Sequence, residues 1–408
     1  MKLFSVVVPT AALLVLATLA PAQIRPAAGK VFTPDSSIEK PSDLGKRAHT
    51  NLQLFLPTKA MKNAQPLGPP YYGYGYETPA SLGCVYSLVK VVAGCNPNTV
   101  TENPTGGSKM IAIVDAYDAP GAASDLATFS TQFGLPQANF QVVYASGARP
   151  ANDSGWEIEE SLDVQWAHAM APDARIVLVE AASSSLTDLL AAEDVASNMV
   201  NAAGGGEVSN SWGASEFSGE SAYDSHFIKA NVVFFASSGD SPGTIWPGVS
   251  PNVVSAGGTT VRRNPLTGKF MSEIPWDSAG GGVSSQEARP SYQNTIASLV
   301  GNGRGVPDLS FDSNPITGVW VLDSYQGGWY IVGGTSVASP SLAGIVNSAG
   351  SFATSTNAEL TTIYGDMDVV TDFRDIRTGY CGPYAGYSAV AGWDPCTGIG
   401  VAKGKNGK

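Results

Sequence analysis

The sequence predicts an α/β fold in which a mostly parallel central sheet carries helices on both faces. Two observations lead to this fold class. Short apolar runs have the length and composition of buried strands, and segments with helical spacing lie between them. The apolar runs are 110–115, 140–144, 175–181, 231–237 and 252–258, and the helical segments are 121–133, 155–170, 185–202 and 218–230. Residues 259–335, rich in Gly, Ser and Pro, predict long loops and a hairpin.

The composition of the chain is typical of a compact, loop-rich secreted protein. Of its 408 residues, 43% are hydrophobic and only 14% are charged, which argues against a disordered chain. The formal net charge of −12 makes nucleic acid an unfavourable partner. Because carboxylates lose their charge as the pH falls, acid surroundings would relieve the self-repulsion of this acidic chain.

The N-terminus predicts a signal peptide over residues 1–22. Lys2 precedes a long apolar run, and Ala-Pro-Ala before Gln23 offers a small-residue cleavage site. A membrane anchor is the alternative, and no other stretch of the sequence is apolar enough to span a bilayer. Residues 23–70 are weakly patterned and predict a short propeptide or linker, followed by one domain over 71–408.

The chain has four cysteines, which allow three pairings in an oxidising compartment. Proximity in sequence favours Cys84 with Cys95 and Cys381 with Cys396. A metal site is the weaker hypothesis, because no CxxC pair or neighbouring histidine supports it.

The stretch GGTSVASP at 333–340 suggests a nucleophilic serine. Ser336 follows two glycines and begins a predicted helix, where the helix dipole and the Ser336 N–H would face an oxyanion. Gly333 and Gly334 would let a substrate approach the backbone closely. The alternative is that Ser336 is an ordinary helix N-cap.

A base for Ser336 is not obvious among the three histidines of the chain, His49, His168 and His226. The predicted helix 155–170 offers another candidate. Glu159 and Asp163 are four residues apart, so both carboxylates stand on one helix face. Two carboxylates this close repel each other when both are charged, so the pKa of one of them rises. A carboxylate whose pKa is adjusted by its surroundings can accept a serine proton. The alternative is a solvated acidic face, because Glu157 and Glu160 belong to the same helix.

Two aspartates follow or end predicted strands. Asp240 lies just past the strand 231–237 and would be a turn former or, when protonated, a hydrogen-bond donor to an oxyanion. Asp115 ends the strand in IAIVDAY, which resembles the strand that carries the catalytic aspartate of subtilisins. No matching histidine segment follows it, so we do not assign Asp115 to a triad.

Together these segments resemble the sedolisins, or serine-carboxyl peptidases. The likeness covers most of residues 71–402, and its motifs occur in the family's order and spacing. The motifs are IAIVDAYDAPGAASDLATFSTQFGLP, ESLDVQWAHAMAPDARI, SNSWGASE, ASSGDSPG, GGTSVASPSLAG, FRDIRTG and GWDPCTGIG. The resemblance implies a subtilisin-like fold with a Ser-Glu-Asp triad that works in acid.

The resemblance also implies a role for single residues. Ser336 matches the nucleophile, Glu159 the general base and Asp163 the acid that tunes this base. Asp240 matches the aspartate of the oxyanion hole. Glu157 and Glu160 rank below Glu159, because neither is four residues from Asp163. Among residues near the substrate, Trp212 matches a family tryptophan, and Gly334 precedes the nucleophile.

The C-terminal motifs resemble the calcium site of the family. Asp375 and Asp394 would supply carboxylate oxygens, which suit Ca²⁺. The backbone carbonyls would come from Ile376, Val390 and Gly392. The family more often has glycine where Val390 stands, and a carbonyl ligand survives that change if valine can adopt the backbone conformation. Cys381 and Cys396 flank this loop.

The resemblance implies a secreted, calcium-stabilised endopeptidase that acts in acid on protein or peptide substrates, as a monomer without nucleic-acid or membrane partners. Sedolisin precursors usually carry a long folded prodomain, and the segment before residue 71 is too short for one. Three alternatives stay open. They are a subtilisin-type protease with a histidine base, an esterase with a G-x-S-x-G elbow, which is not found around Ser336, and a catalytically inactive relative that binds proteins.

Overall fold

The computed structural model describes residues 29–57, 75–383 and 386–408. Strands in this part of the chain are β1 (Gly29–Phe32), β2 (His49–Thr50), β3 (Gln53–Pro57), β4 (Met110–Ala116), β5 (Asn139–Tyr144), β6 (Arg175–Ala181), β7 (Gly206–Asn210), β8 (Trp212–Ser215), β9 (Val232–Ser237), β10 (Ile245–Trp246), β11 (Val254–Arg263), β12 (Phe270–Pro275), β13 (Gly282–Ala288), β14 (Gly303–Val306), β15 (Leu309–Asp312), β16 (Val319–Asp323), β17 (Gly328–Gly333), β18 (Phe373–Arg374) and β19 (Val401–Ala402). The α-helices are α1 (Pro79–Val85), α2 (Ala122–Phe133), α3 (Ser154–Met170), α4 (Leu186–Ala202), α5 (Ala297–Val300), α6 (Thr335–Ala349) and α7 (Thr356–Gly365).

A ten-stranded sheet forms the centre of the molecule. Its order is β18-β19-β15-β11-β9-β7-β4-β6-β5, and β12 pairs with β11. The strands from β19 to β5 pair in parallel, whereas β18 and β12 are antiparallel to their neighbours. The predicted α/β fold class with a mostly parallel sheet is therefore confirmed.

Both faces of the sheet are covered, as the apolar runs predict. Along β4, Ile111 and Ile113 belong to one hydrophobic cluster, and Ala112 and Val114 belong to another. This division follows from the alternation of side chains along a strand. Helices α3 and α6 contribute to the first cluster, and α4 contributes to the second. Because α3 and α6 pack together on one face, residues from both helices can meet at the edge of the sheet.

Two segments differ from the sequence predictions. Residues 218–230, predicted as a helix, contain a 3₁₀-helix over Glu220–Phe227. Residues 259–335 hold the end of β11 and all of β12 to β17, so the prediction of long loops underestimates the order there. Where sequence analysis predicts one hairpin, the region holds three antiparallel pairs, β11–β12, β13–β14 and β16–β17. These strands were missed because glycine and serine interrupt the apolar alternation.

Residues 29–57, called here the N-terminal segment, are part of the folded molecule. Strands β1 and β3 extend the hairpin β16–β17 into a four-stranded antiparallel sheet, and β2 pairs with β8. Sequence analysis predicted no strand in this segment. The predicted signal peptide over 1–22 lies outside the described residues, as does part of the predicted propeptide over 23–70. No helix in the described ranges combines the length and the apolar character needed to cross a membrane.

The structure contains two disulfide bonds. Cys84 bonds to Cys95, and Cys381 bonds to Cys396. These are the pairings that proximity in sequence favours, and they leave no free cysteine. The first closes the loop after α1, and the second ties residue 381 to the loop that leads into β19.

Candidate active site

Helix α3 carries the two carboxylates that the sequence places on one face. The Asp153 side chain caps the helix by accepting the Gly155 and Trp156 N–H groups. Glu159 and Asp163 are both fully buried. Glu157 and Glu160 are also at most 1% exposed, so the alternative of a solvated acidic face is wrong.

Ser336 is the second residue of α6 and is buried below the sheet edge. Its hydroxyl donates to the Ser211 carbonyl at 3.2 Å. The helix begins at Thr335 after Gly334, with no side-chain cap. Ser336 is therefore not an N-cap, and its hydroxyl is available for another use.

Burial and like charges dominate the electrostatics around Glu159. Burial raises the pKa of Glu159 well above its usual value, and Asp163 and Asp115 raise it further, whereas the Ser336 hydroxyl lowers it. Burial also raises the pKa of Asp163, and the nearby Ser211 side chain lowers it in part. A carboxyl cluster of this kind holds protons well above the usual pH range of carboxylic acids.

Asp115 belongs to the same cluster, although sequence analysis did not assign it to the site. It lies in β4 and is fully buried. Burial raises its pKa, followed by the charges of Asp163 and Glu180. The signal that could have found it is its place near the carboxyl end of a parallel strand, where functional groups gather. The missing histidine segment argues only against a subtilisin-type role for Asp115, not against its place in a carboxyl cluster.

Asp240 faces the start of α6. Its Oδ1 accepts the Thr335 N–H at 2.7 Å and the Thr335 hydroxyl at 3.0 Å. These bonds reach a distant part of the chain, so Asp240 does not merely form a turn. Burial raises the pKa of Asp240 to about 7, against a lowering by Thr335. Below that pH the side chain is protonated and its second oxygen can donate a hydrogen bond.

Gly334 keeps the space between Asp240 and the N-terminal segment open. A Cβ atom at this position would lie 2.1 Å from the Asn51 carbonyl oxygen and 2.7 Å from Asp240 Oδ2. Both oxygens thus lie on the same side of Gly334. Its φ of +113° is also one that other residues rarely adopt. Any side chain here would close the approach to Ser336.

The N-terminal segment crosses this site in an extended conformation. On one side, His49 and Thr50 pair with Gly213 and Trp212. On the other side, Gln53 to Phe55 pair with Gly333 to Ile331. Between these pairs, the Ser336 N–H donates to the Asn51 carbonyl at 3.1 Å, and the Asn51 N–H donates to the Ser211 carbonyl at 3.3 Å. The peptide bond between Asn51 and Leu52 therefore lies over Ser336.

Trp212 meets the segment through its backbone. It pairs with Thr50, whereas its indole ring is fully buried against Trp246 and donates to the Val114 carbonyl at 3.0 Å. The backbone of β8, rather than the indole ring, thus contacts the extended chain.

The three histidines are bonded elsewhere. His168 is buried and bonds to the Pro136 carbonyl at 2.9 Å, and burial lowers its pKa. His226 pairs with Asp194, and His49 contacts the Thr50 carbonyl from within β2. Each ring thus has a partner other than Ser336, which argues against the subtilisin-type alternative.

In the C-terminal loop, Asp375 and Asp394 accept backbone N–H groups of two other predicted calcium ligands. The Gly392 N–H donates to Asp375 Oδ2 at 3.0 Å, and the Val390 N–H donates to Asp394 Oδ2 at 3.1 Å. Asp375 Oδ1 is buried and accepts no hydrogen bond from the described residues. In those residues no group of three or more His, Cys, Asp or Glu side chains could hold a metal ion. An ion here would depend on backbone carbonyls, which Ca²⁺ accepts as ligands.

The chain is similar in sequence to known peptidases. No family model matches the chain. Kumamolisin from Bacillus sp. (strain MN-32) is 30% identical over 336 residues, which cover 73% of this chain and 59% of the relative. Sedolisin from Pseudomonas sp. (strain 101) is 34% identical over 170 residues, or 38% of this chain and 28% of the relative. The chain thus spans well under two thirds of the length of these curated relatives.

A solved structure of a sedolisin also matches the fold of this chain. Pseudomonas sedolisin, a serine-carboxyl proteinase complexed with two molecules of pseudo-iodotyrostatin, matches with a TM-score of 0.66 at 25% identity. The match covers 80% of this chain and 95% of that structure. The fold is therefore subtilisin-like, as the sequence resemblance implies, and the chain belongs to the sedolisin family.

Proposed function

We propose that this protein is a serine-carboxyl endopeptidase that hydrolyses peptide bonds in acid through an acyl-enzyme on Ser336. The observation that carries the proposal is the meeting of four groups at one sheet edge. The Ser336 side chain lowers the pKa of Glu159, the charge of Asp163 raises it, and Asp240 faces the carbonyl that the Ser336 N–H binds. A nucleophile, a base and oxyanion donors around one carbonyl suffice for acyl transfer.

Glu159 is the general base in this proposal. Burial is the largest cause of its raised pKa, followed by the charges of Asp163 and Asp115. In acid these neighbours are protonated and their repulsion disappears, so burial alone opposes the charge of Glu159, and the Ser336 side chain, which lowers this pKa, favours the carboxylate. Glu159 then accepts the Ser336 proton during attack and returns it to the leaving amine. Asp163 and Asp115 hold and tune the base rather than touch the substrate.

Asp240 and the Ser336 N–H stabilise the oxyanion. When Asp240 is protonated, its Oδ2 can donate to the carbonyl oxygen while Oδ1 stays bonded to Thr335. As the pH rises through the Asp240 pKa of about 7, this donor becomes a charge that repels the oxyanion. The neutral-side loss of activity therefore follows from the same aspartate.

We also propose a Ca²⁺ ion in the loop of Asp375 and Asp394. The two carboxylates with the carbonyls of Ile376, Val390 and Gly392 would hold it. The buried Asp375 Oδ1, which accepts no hydrogen bond from the described residues, supports this assignment. The ion would stabilise the loop between β18 and β19 and takes no part in the chemistry on Ser336.

Secretion is consistent with the two disulfide bonds, because such bonds persist in oxidising compartments. We therefore propose that residues 1–22 are a signal peptide, that residues 23–70 are a short propeptide or linker and that the extracellular enzyme acts on protein or peptide substrates as a monomer.

The test is hydrolysis of a denatured protein from pH 2 to 8 by the wild type and three variants. We expect activity in acid that Ser336→Ala and Glu159→Gln each reduce at least about 1,000-fold. The matched control is Glu160→Gln. Burial raises the pKa of Glu160 well above its usual value, so this carboxyl is neutral in acid, and in acid its variant should keep activity within about threefold.

Activity that peaks near neutral pH and survives Glu159→Gln would contradict the carboxylate mechanism. Absence of hydrolysis at every pH, with binding of the denatured protein retained, would instead support the catalytically inactive relative.

A further inference from the structure

We propose that the Asn51–Leu52 bond is the bond that this protein cuts in its own chain, and that Ser237 makes the cleft selective for asparagine on the acyl side of the scissile bond. The inference rests on the proposed peptidase function and names its substrate class. It also identifies Ser237 as a specificity-determining residue.

The backbone geometry is that of a bound substrate. The Asn51 carbonyl accepts the Ser336 N–H at 3.1 Å, and the Asn51 N–H donates to Ser211 at 3.3 Å. Antiparallel pairing holds the chain before and after this residue, on β8 and on β17. Further upstream, the Ala48 N–H donates to the Ser184 carbonyl at 2.9 Å. A chain held in register on both sides presents one carbonyl to the serine.

The contacts upstream of the bond keep the N-terminal segment in this register. The Glu39 carboxylate accepts the Ser215 N–H at 3.0 Å and the Ser215 hydroxyl at 2.5 Å. Ser215 lies at the end of β8, the strand that pairs with His49 and Thr50. The segment is therefore fixed at Glu39 and along β2, and a one-residue slip would break both sets of contacts.

The side chain of Asn51 is recognised in a closed pocket. It is 1% exposed, and its amide donates to the Ser237 hydroxyl at 2.7 Å. Ser237 is itself fully buried at the end of β9. A buried hydroxyl that bonds the substrate side chain disfavours apolar residues, because they would leave this hydroxyl without its partner. The Asn51 Oδ1 accepts no hydrogen bond from the described residues, so the pocket favours a side chain of asparagine size through its N–H₂ donor.

The reaction balances with water as the second reactant. The Ser336 oxygen bonds to the Asn51 carbonyl carbon, and Glu159 takes the serine proton. The bond to the Leu52 nitrogen then breaks, and the same proton passes to the leaving amine. Water hydrolyses the ester, which leaves a carboxyl group on Asn51, a free amine on Leu52 and a regenerated Ser336.

The first experiment follows the intact full chain by mass spectrometry after a shift from pH 8 to pH 4. We expect one cut with a new N-terminus at Leu52, and no cut in Ser336→Ala. Asn51→Leu should slow the cut about tenfold. In a Ser237→Ala background, the same change should slow it less than about threefold, because the partner of the amide is already gone.

The second experiment digests a denatured protein and compares cleavage after asparagine with cleavage after leucine. We expect the wild type to favour asparagine about tenfold and Ser237→Ala to lose most of this ratio. The ratio does not depend on how much enzyme folds. Ser238→Ala is the matched control, because the Ser238 hydroxyl bonds to the Gly280 carbonyl, and it should retain the ratio.

The outcomes separate this inference from the proposed function. Hydrolysis of the denatured protein without asparagine preference, or self-cleavage elsewhere, would overturn the inference and leave the peptidase assignment standing. A cut at Leu52 that persists in Ser336→Ala would show a foreign protease and would also overturn it. If the protein cleaved neither its own chain nor the denatured protein, both this inference and the proposed peptidase function would be overturned.

Discussion

Asp240 links the chemistry of the site to pH at the scale of one residue. Its Oδ1 is fixed by Thr335, and only Oδ2 can change between donor and acceptor. An asparagine keeps the acceptor oxygen and places a permanent N–H₂ donor where Oδ2 stands. This makes the substitution a test of protonation rather than of shape.

We predict that Asp240→Asn keeps activity at pH 4 within about tenfold and extends it beyond pH 7, because its donor no longer titrates near the Asp240 pKa of about 7. Asp240→Ala, which removes both oxygens, should lose about 100- to 1,000-fold at every pH. Complete pH–rate profiles of the three proteins provide the check. If the activity of Asp240→Asn falls toward neutral pH as it does in the wild type, a group other than Asp240 causes that fall.

The candidate site residues differ in how far the sequence predicts them. Glu159 and Asp163 follow from helical spacing, and Ser336 and Asp240 follow from local motifs. Ser237 could not be found in this way, and the only local signal for Asp115 is its place near the end of a predicted strand. The partner of Ser237 is Asn51, which is 186 residues away. The effect of Asp115 depends on the approach of β4 to α3, which only the folded sheet determines.

At the scale of elements, the sequence predicts those whose pattern is local. Strand β6 has the predicted bounds, and α3 begins one residue earlier than expected. Strands β1 to β3 were not predicted, because each is short, and β2 and β3 pair with strands far away in the chain. Their stability comes from these long-range partners rather than from their own propensity.

The loop from β18 to β19 holds the proposed Ca²⁺ ligands, so Ca²⁺ should stabilise the folded protein through this loop. We expect Ca²⁺ at about 100 times its dissociation constant to raise the melting temperature by roughly 5 °C, because it binds only the folded loop. Asp375→Asn should abolish this rise. Asp368→Asn, which changes an exposed acid in the same region, should retain it. Calorimetry with Ca²⁺ and with a chelator makes the comparison, and an equal response in both variants would place the ion elsewhere.

At the scale of the whole molecule, many buried carboxyl groups hold protons. Burial raises the pKa of Glu207 to about 8 and that of Asp240 to about 7. In the unfolded chain, such groups titrate near 4. Between these values the folded state binds more protons than the unfolded state, so the free energy of unfolding falls as the pH rises.

We therefore predict that the uncut Ser336→Ala variant melts roughly 5–10 °C lower at pH 8 than at pH 4. The self-repulsion of a chain with net charge −12 acts in the same direction. Differential scanning calorimetry in matched ionic strength measures the difference. A protein that is more stable at pH 8 would mean that the buried carboxylates are ionised and paired in the folded state.

The four-stranded sheet β1-β3-β17-β16 also has a consequence for how the molecule behaves in concentrated solution. Strand β3 covers the edge of β17, and β1 covers β3 in turn. Departure of residues 29–51 after a cut at Asn51–Leu52 would uncover the edge of β3 that now pairs with β1. An open strand edge is a template on which chains from other molecules can add and aggregate. By covering this strand edge, the segment protects the molecule from aggregation, and the molecule is best stored with the segment in place.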